Sequence, residues 1–229
     1  MKSILITGAN RGLGLGFTRH YLGQGWRVYA AARKPDKSSI LEKLKSDFEG
    51  YFYALKLDVG QQAEVAMLPS QLDGVTLDLA INNAGICHEE NLESWSAATF
   101  ASTLTTNVTG PALVAKAISP LMKPGSVLVN ISSGMGSCEL NINPGGGLDA
   151  YAASKAALNL LTRRLASKLE PRGVTVVAID PGWVRTRMGG EGADLTVDES
   201  VGDITATIAS LAPADTGRFM SRKGATVPW

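Results

Sequence analysis

A chain of 229 residues, 45% hydrophobic and 19% charged, has the length and balance of one sizeable globular core and not of a disordered segment. Its 22 basic and 21 acidic residues leave a net charge of +1, which gives no electrostatic case for binding nucleic acid or an anionic membrane. Two cysteines, Cys87 and Cys138, and two histidines, His20 and His88, show no paired-cysteine or metal-ligand spacing, so free thiols, no metal and a cytoplasmic location are expected.

The N-terminal residues Met1 to Ile6 read as entering the fold directly, with no cleavable signal, and no apolar run approaches the ~20 residues that span a bilayer. The run Ile4-Leu5-Ile6 precedes Thr7-Gly8-Ala9-Asn10-Arg11-Gly12-Leu13-Gly14, and Leu15 to Thr18 follows, which predicts a strand, a glycine turn and a helix start. Glycine lacks a Cβ, so Gly8 suits a positive φ, and Gly12 and Gly14 let backbone N–H groups come close to a phosphate. The helix N-terminus adds roughly half a positive charge there. The spacing Gly-x-x-x-Gly-x-Gly is not the Gly-x-Gly-x-x-Gly of the usual dinucleotide fingerprint.

Gly23 and Gly25 break the first helix, and Trp26 to Ala32 reads as a second strand with Arg33 just past its end. At this place an acid holds the adenosine ribose in NAD folds, whereas an arginine accommodates the 2′-phosphate of NADP. Arg11 in the glycine turn points the same way, and Asp36, after Pro35, is the nearest competing acid. Ile40, Leu41, Leu44 and Phe48 recur at helical spacing, and Tyr51 to Leu57 reads as a strand ending at Asp58-Val59. Asp58 is also placed to cap a helix before Gln61. A helix is expected from Ala63 to Leu68, stopped near Pro69.

Leu77 to Ile81 forms the next buried strand and delivers Asn82-Asn83-Ala84-Gly85 at its end. Thr105 to Met122 reads as a long helix carrying Asn107, with Pro111 bending it or marking its true start. Gly125 to Ile131 is apolar on both faces, as buried parallel strands are, and presents Ser132 and Ser133. The stretch Gly134 to Leu148, with Pro144-Gly145-Gly146-Gly147, is too glycine-rich for regular structure and reads as a flexible pocket wall.

Asp149 is expected to cap a helix carrying Tyr151, Lys155, Leu158, Leu161, Leu165 and Leu169 before Pro171 stops it. Val174 to Ile179 makes another strand, ending in Asp180-Pro181-Gly182-Trp183-Val184-Arg185-Thr186. Gly189, Gly190 and Gly192 suggest mobility, Thr196 to Glu199 is a capping box opening a helix to about Leu211, and Gly217 to Trp229 reads as a short edge strand and a tail.

Alternating strands and helices predict an α/β fold, a doubly wound (Rossmann) parallel sheet with helices on both faces, in a single domain over 1–229. Right-handed crossovers put the strands' carboxyl ends on one edge, where such folds bind ligands. That edge then gathers the glycine turn, Asn82, Ser133 and Pro181. Tyr151 and Lys155 lie one turn apart on one helix face, where an ammonium lowers a phenol from its usual value near 10 by about 1–3 units.

The glycine octet, Asn82-Asn83-Ala84-Gly85, Asn107, Ser132-Ser133 and Tyr151-x-x-x-Lys155 together resemble the short-chain dehydrogenase/reductase family, over nearly the whole chain and in the family's order. The stretch from Pro181 to Gly190 is similar to its carbonyl reductase-like and C-signal-like branches, while Gly134–Leu148 is longer than in most members. The resemblance implies an NADP(H)-dependent oxidoreductase acting on a small carbonyl or alcohol. Tyr151 is then the general acid and base, Ser133 the hydroxyl on the substrate oxygen, with Ser132 as the alternative. Lys155 holds the nicotinamide ribose and tunes Tyr151, and Asn107 anchors a proton-relaying water.

By the same resemblance the cofactor contacts are Gly8, Asn10, Arg11, Gly12, Leu13, Gly14, Arg33, Asp58 and Val59, then Asn83, Ala84, Gly85, Tyr151 and Lys155. Pro181, Gly182, Val184 and Thr186 complete them beside the nicotinamide. A homodimer or homotetramer is implied too. The candidate substrate lining is Met135, Cys138, Leu140, Ile142, Trp183 and Met188, mostly apolar. The competing function is an NADP(H)-binding regulatory or signalling protein of the same fold with little turnover.

Overall fold

Successive residues of a strand face opposite sides of its sheet, and here both sides are apolar. In the computed structural model, which describes residues 1–229, β1 (Ser3–Thr7) sends Ile4 and Ile6 into a cluster with Phe17, Val201 and Ile204. Leu5 enters a second cluster on the other side, with Val114, Ile118 and Leu128. Burying one such side chain fully stabilises the fold by about 1.5–3 kcal/mol.

The chain continues through α1 (Gly12–Gly23), β2 (Arg27–Ala32), α2 (Ser39–Asp47) and β3 (Phe52–Lys56) to two short helices, α3 (Gln62–Ala66) and α4 (Leu68–Gln71). Then come β4 (Leu77–Asn82), α5 (Ala97–Leu104), α6 (Gly110–Ile118), β5 (Met122–Ile131) and α7 (Asp149–Leu169). The last elements are β6 (Thr175–Asp180), α8 (Val197–Ser210) and β7 (Phe219–Ser221). All seven strands form one parallel sheet in the order β3-β2-β1-β4-β5-β6-β7. The winding reverses between β1 and β4, so their carboxyl ends open a crevice there. This is the doubly wound sheet expected from the sequence, with β7 as the short edge strand. No helix is long and apolar enough to cross a membrane.

Several local expectations need correction. Pro69 does not stop a helix; it lies in the first turn of α4, where its missing N–H has no intrahelical partner to lose. The long helix expected from Thr105 begins earlier, at Ala97, and passes through a π turn over Thr105–Thr109 before α6, whose first turn holds Pro111. Met122 is the first residue of β5, not the end of that helix. Asp149 is the first helical residue and makes no capping bond; Leu148 occupies the cap. Its carboxylate still favours the positive end of α7. The Thr196–Glu199 capping box forms as expected.

Candidate active site

The turn after β1 is shaped by its glycines. Gly8 and Gly12 hold φ of 67° and 51°, a region that L side chains rarely adopt. A Cβ on Gly14 would lie 2.2 Å from the Gly8 carbonyl oxygen and 2.6 Å from Asn83 Nδ2, so only glycine lets α1 dock against the ends of β1 and β4. Asn83 fastens the junction: its Nδ2 donates to the carbonyls of Thr7 at 2.8 Å and Gly8 at 3.3 Å. Thr7 Oγ1 accepts from the N–H groups of Asn83 and Ala84, both at 3.0 Å. Asn10 and Leu13 are half-buried in the same turn. Arg11 stands at the N-cap of α1 without a side-chain cap bond, and the first turn carries no acid. The helix therefore presents its N–H groups and positive end, a cradle suited to phosphate.

Charge gathers around that cradle. Arg11 titrates below its ordinary value because it is partly buried and because Arg187 and Arg33 crowd it. None of the three belongs to an ion pair of the chain. Asp36 lines a separate groove of about 460 Å³ with Glu42, Lys45 and Tyr53, between α2 and β3. Beyond β3, Asp58 Oδ1 accepts from Gly60 N–H at 3.0 Å, closing its own turn instead of capping a helix. The side chain of Val59 is buried against Gly110 and offers the groove no side-chain group.

The π turn positions Asn107, which is 1% exposed. Its amide trades two 2.9 Å hydrogen bonds with the backbone of Ile86 and donates a third to Ser154 Oγ at 3.0 Å. The side chain is thus consumed in joining the strand end after β4 to α7. The carbonyl of Asn107 lacks the helical donor four residues on, because that residue is Pro111. Beneath it, Asn82 Nδ2 donates to Asn130 Oδ1 at 2.9 Å and Asn130 Nδ2 to Thr162 Oγ1 at 2.9 Å, a buried polar chain tying β4, β5 and α7 together.

Tyr151 and Lys155 meet on α7, the ammonium 5.4 Å from the ring centroid. Lys155 Nζ donates to the carbonyl of Ile131 at 2.8 Å, and burial pushes its pKa down to about 8, with Cys87 and Asp180 opposing. Burial drives the Tyr151 phenol above its ordinary value; Cys87 and Asp180 push the same way, and the Ser133 side chain pulls it partly back. The lowered phenol expected from its pairing with Lys155 is therefore reversed, and loss of water around the phenolate is the largest influence on it. The phenol is therefore protonated at neutral pH. Ser132 is fully engaged in the interior, while Ser133 Oγ accepts from Met135 N–H at 3.2 Å and stays half-buried at the pocket.

After β4, Gly85 lies beside Asn107 and Lys155: a Cβ there would meet Asn107 Oδ1 at 3.3 Å and Lys155 Nζ at 3.9 Å. Pro181 accepts from Ser200 Oγ at 2.8 Å, Gly182 takes φ of 75°, and Val184 is buried and bridged to Leu195. Thr186 reaches the glycine turn: a Cβ on Gly12 would meet its Cγ2 at 3.3 Å. The wall keeps large apolar groups in solvent, with Leu140, Ile142, Trp183 and Met188 all about half exposed. Met135 is half-buried and Cys138 is exposed at the same wall. The stretch Gly134–Leu148 is pinned more firmly than its glycines suggest. The Trp229 carbonyl accepts from Glu139 N–H at 2.9 Å and from Ser137 Oγ at 3.2 Å, and the Gly147 carbonyl from Glu90 N–H at 2.7 Å.

Three residues of this edge had no role in the sequence reading. Cys87 and Asp180 act on both Tyr151 and Lys155, and Arg187 acts on Arg11. The signal for Cys87 and Asp180 was position alone, since each lies at or just beyond a strand's carboxyl end.

The family model described as short chain dehydrogenase matches residues 2–194. The chain belongs to that family. This short-chain dehydrogenase is 38% identical over 159 residues to the C-signal of Myxococcus xanthus, spanning 67% of its own length and 93% of that protein. It superposes on the NADPH-bound carbonyl reductase from chicken fatty liver with a TM-score of 0.92, 34% identity and coverage of 100% and 99% of the two chains. A carbonyl reductase from Pseudomonas aeruginosa PAO1 in complex with NADP gives a TM-score of 0.88, 31% identity and full coverage of both chains. The short-chain dehydrogenase is thus an oxidoreductase of a carbonyl reductase-like fold.

Proposed function

We propose that the protein is an NADP(H)-dependent enzyme that interconverts a carbonyl and an alcohol. The observation that carries this reading is the meeting of Tyr151, Ser133 and buried Lys155 at the edge that also holds the glycine cradle. Unpaired Arg11 and Arg33 and the uncapped, acid-free N-terminus of α1 fit a dinucleotide's phosphates, and relatives of this fold bind NADPH or NADP. When bound, the nicotinamide supplies or takes up the hydride.

In reduction, Ser133 donates a hydrogen bond to the carbonyl oxygen, and Tyr151 gives that oxygen its proton, so hydride on carbon and proton on oxygen together complete the alcohol. In oxidation Tyr151 takes the proton back. Lys155 holds positive charge beside the phenol, and the Asn107 carbonyl anchors water that restores the proton from solvent. Asp58, Asn83, Ala84 and Gly85 line the cofactor's course, with Pro181, Gly182 and Thr186 on its far side. Apolar Trp183, Met188, Leu140 and Ile142 suit a substrate with an apolar body. Exposed Leu104 and Leu160 on α5 and α7 support a homodimer or homotetramer, which light scattering tests.

A second reading, a dinucleotide-binding regulatory or signalling protein with little turnover, rests on the likeness to C-signal. The deciding experiment follows nicotinamide absorbance while the purified protein meets a panel of aldehydes, ketones, quinones and alcohols. Turnover of at least one class is expected. Tight NADPH binding with no turnover across the panel would favour the regulatory reading.

A further inference from the structure

The connection from β6 to α8 crosses the crevice. A Cβ on Gly16 would lie 2.7 Å from Val197 and 2.8 Å from Val201, so α8 packs directly on α1. The chain leaving β6, two strands beyond β4, must therefore return over the ends of β5 and β4 to reach the flank of α1. On the way Thr186 touches Gly12.

This strap is internally braced. Arg185 N–H donates to the Leu195 carbonyl at 2.8 Å and Leu195 N–H to the Trp183 carbonyl at 3.1 Å. Thr186 closes a tight turn, its Oγ1 accepting from Gly189 N–H at 3.1 Å and its carbonyl from Gly190 N–H at 2.9 Å. The guanidinium of Arg185 is spent on the carbonyls of Ala193 and Asp194. Arg187, inside the turn, is exposed, and no carboxylate pairs with it.

Resting on the dinucleotide reading above, we infer that Arg187 is a third phosphate ligand, reaching from the strap to the pyrophosphate over the N-terminus of α1. Arg33 follows β2, on one side of β1; Arg187 arrives from the β6 side, next to the residue that touches Gly12. The two arginines therefore serve different phosphates. Arg33 meets the 2′-phosphate, which NADPH alone carries, and Arg187 meets the pyrophosphate common to NADPH and NADH. Arg11 is lowered first by its partial burial and then by Arg187 and Arg33, and two phosphate groups would relieve the repulsion among the three arginines.

The test is direct binding of NADPH and of NADH to the parent, Arg187→Gln and Arg187→Lys, by nicotinamide fluorescence. Arg187→Gln is expected to weaken both dinucleotides alike, by about tenfold, the size of one charge-assisted hydrogen bond. Arg187→Lys is expected to recover part of the loss, since it keeps the charge without the fork. Unchanged dissociation constants in Arg187→Gln overturn the inference while leaving the dinucleotide reading in place. Loss confined to NADPH overturns it too, by moving Arg187 to the 2′-phosphate. A parent that binds neither dinucleotide overturns the reading on which the inference rests.

Discussion

Ser132 Oγ donates a 2.6 Å hydrogen bond to Asn159 Oδ1, and both residues are buried. Asn159 in turn donates from Nδ2 to the Gly136 carbonyl at 3.1 Å, so Ser132 belongs to the framework that holds the start of the pocket wall against α7. Its neighbour Ser133 is left to face Tyr151. Ser133→Ala is expected to reduce turnover by about 10²-fold, the scale of losing a donor to the reacting oxygen, with little change in stability. Ser132→Ala is expected to cost about 1–3 kcal/mol, since it leaves the buried Asn159 oxygen without its donor. Steady-state kinetics and urea denaturation of the two variants check the division, and the opposite pattern would reassign the catalytic hydroxyl.

Tyr151→Phe keeps the ring and removes only the acidic proton. Turnover is expected to fall by at least the ~10²-fold typical of losing a general acid, while NADPH binding, measured by fluorescence, survives. Undiminished turnover in this variant would sink the proton-transfer scheme.

Lys155 gives a pH dependence of known sign. Its pKa of about 8 in the folded protein lies below its ordinary value of 10.5, so between those values the unfolded chain holds the extra proton and stability rises with pH. Below about 8 the ammonium is charged in both states, and burial then costs the folded state its full penalty. Tyr151 acts in the opposite direction, but only above its ordinary value of 10.0, where the unfolded phenol ionises first and stability is lost. Urea midpoints of the cofactor-free parent, taken relative to Lys155→Met, are therefore expected to climb from about pH 8 to about pH 10. A flat or falling difference over that range would show that Lys155 is not held at a lowered pKa.

Arg33→Asp is expected to reverse the preference for NADP(H). One charge-assisted hydrogen bond to the 2′-phosphate is worth roughly 1.5–3 kcal/mol, or about ten- to a hundredfold in discrimination. The ratio of kcat/KM for NADPH and NADH in parent and variant checks it, and an unchanged ratio removes Arg33 from cofactor selection.

Much of the fold was legible in the sequence, because it depends on residues close together in the chain. Alternation over two residues, as in Ile4, Leu5 and Ile6, marks a strand buried on both faces. The Thr196–Glu199 capping box and the Tyr151–Lys155 pair likewise involve contacts within one helical turn. What the sequence did not carry was the use to which each polar group is put. Whether the Asn107 amide serves a water or locks Ile86 and Ser154 depends on partners 21 and 47 residues away. The repulsion of Arg11 by Arg187 depends on α8 packing across the sheet onto α1. The direction of the Tyr151 pKa likewise depends on tertiary structure. Lys155, four residues on, is visible in the sequence, but the burial that raises the phenol exists only once the fold has closed around it.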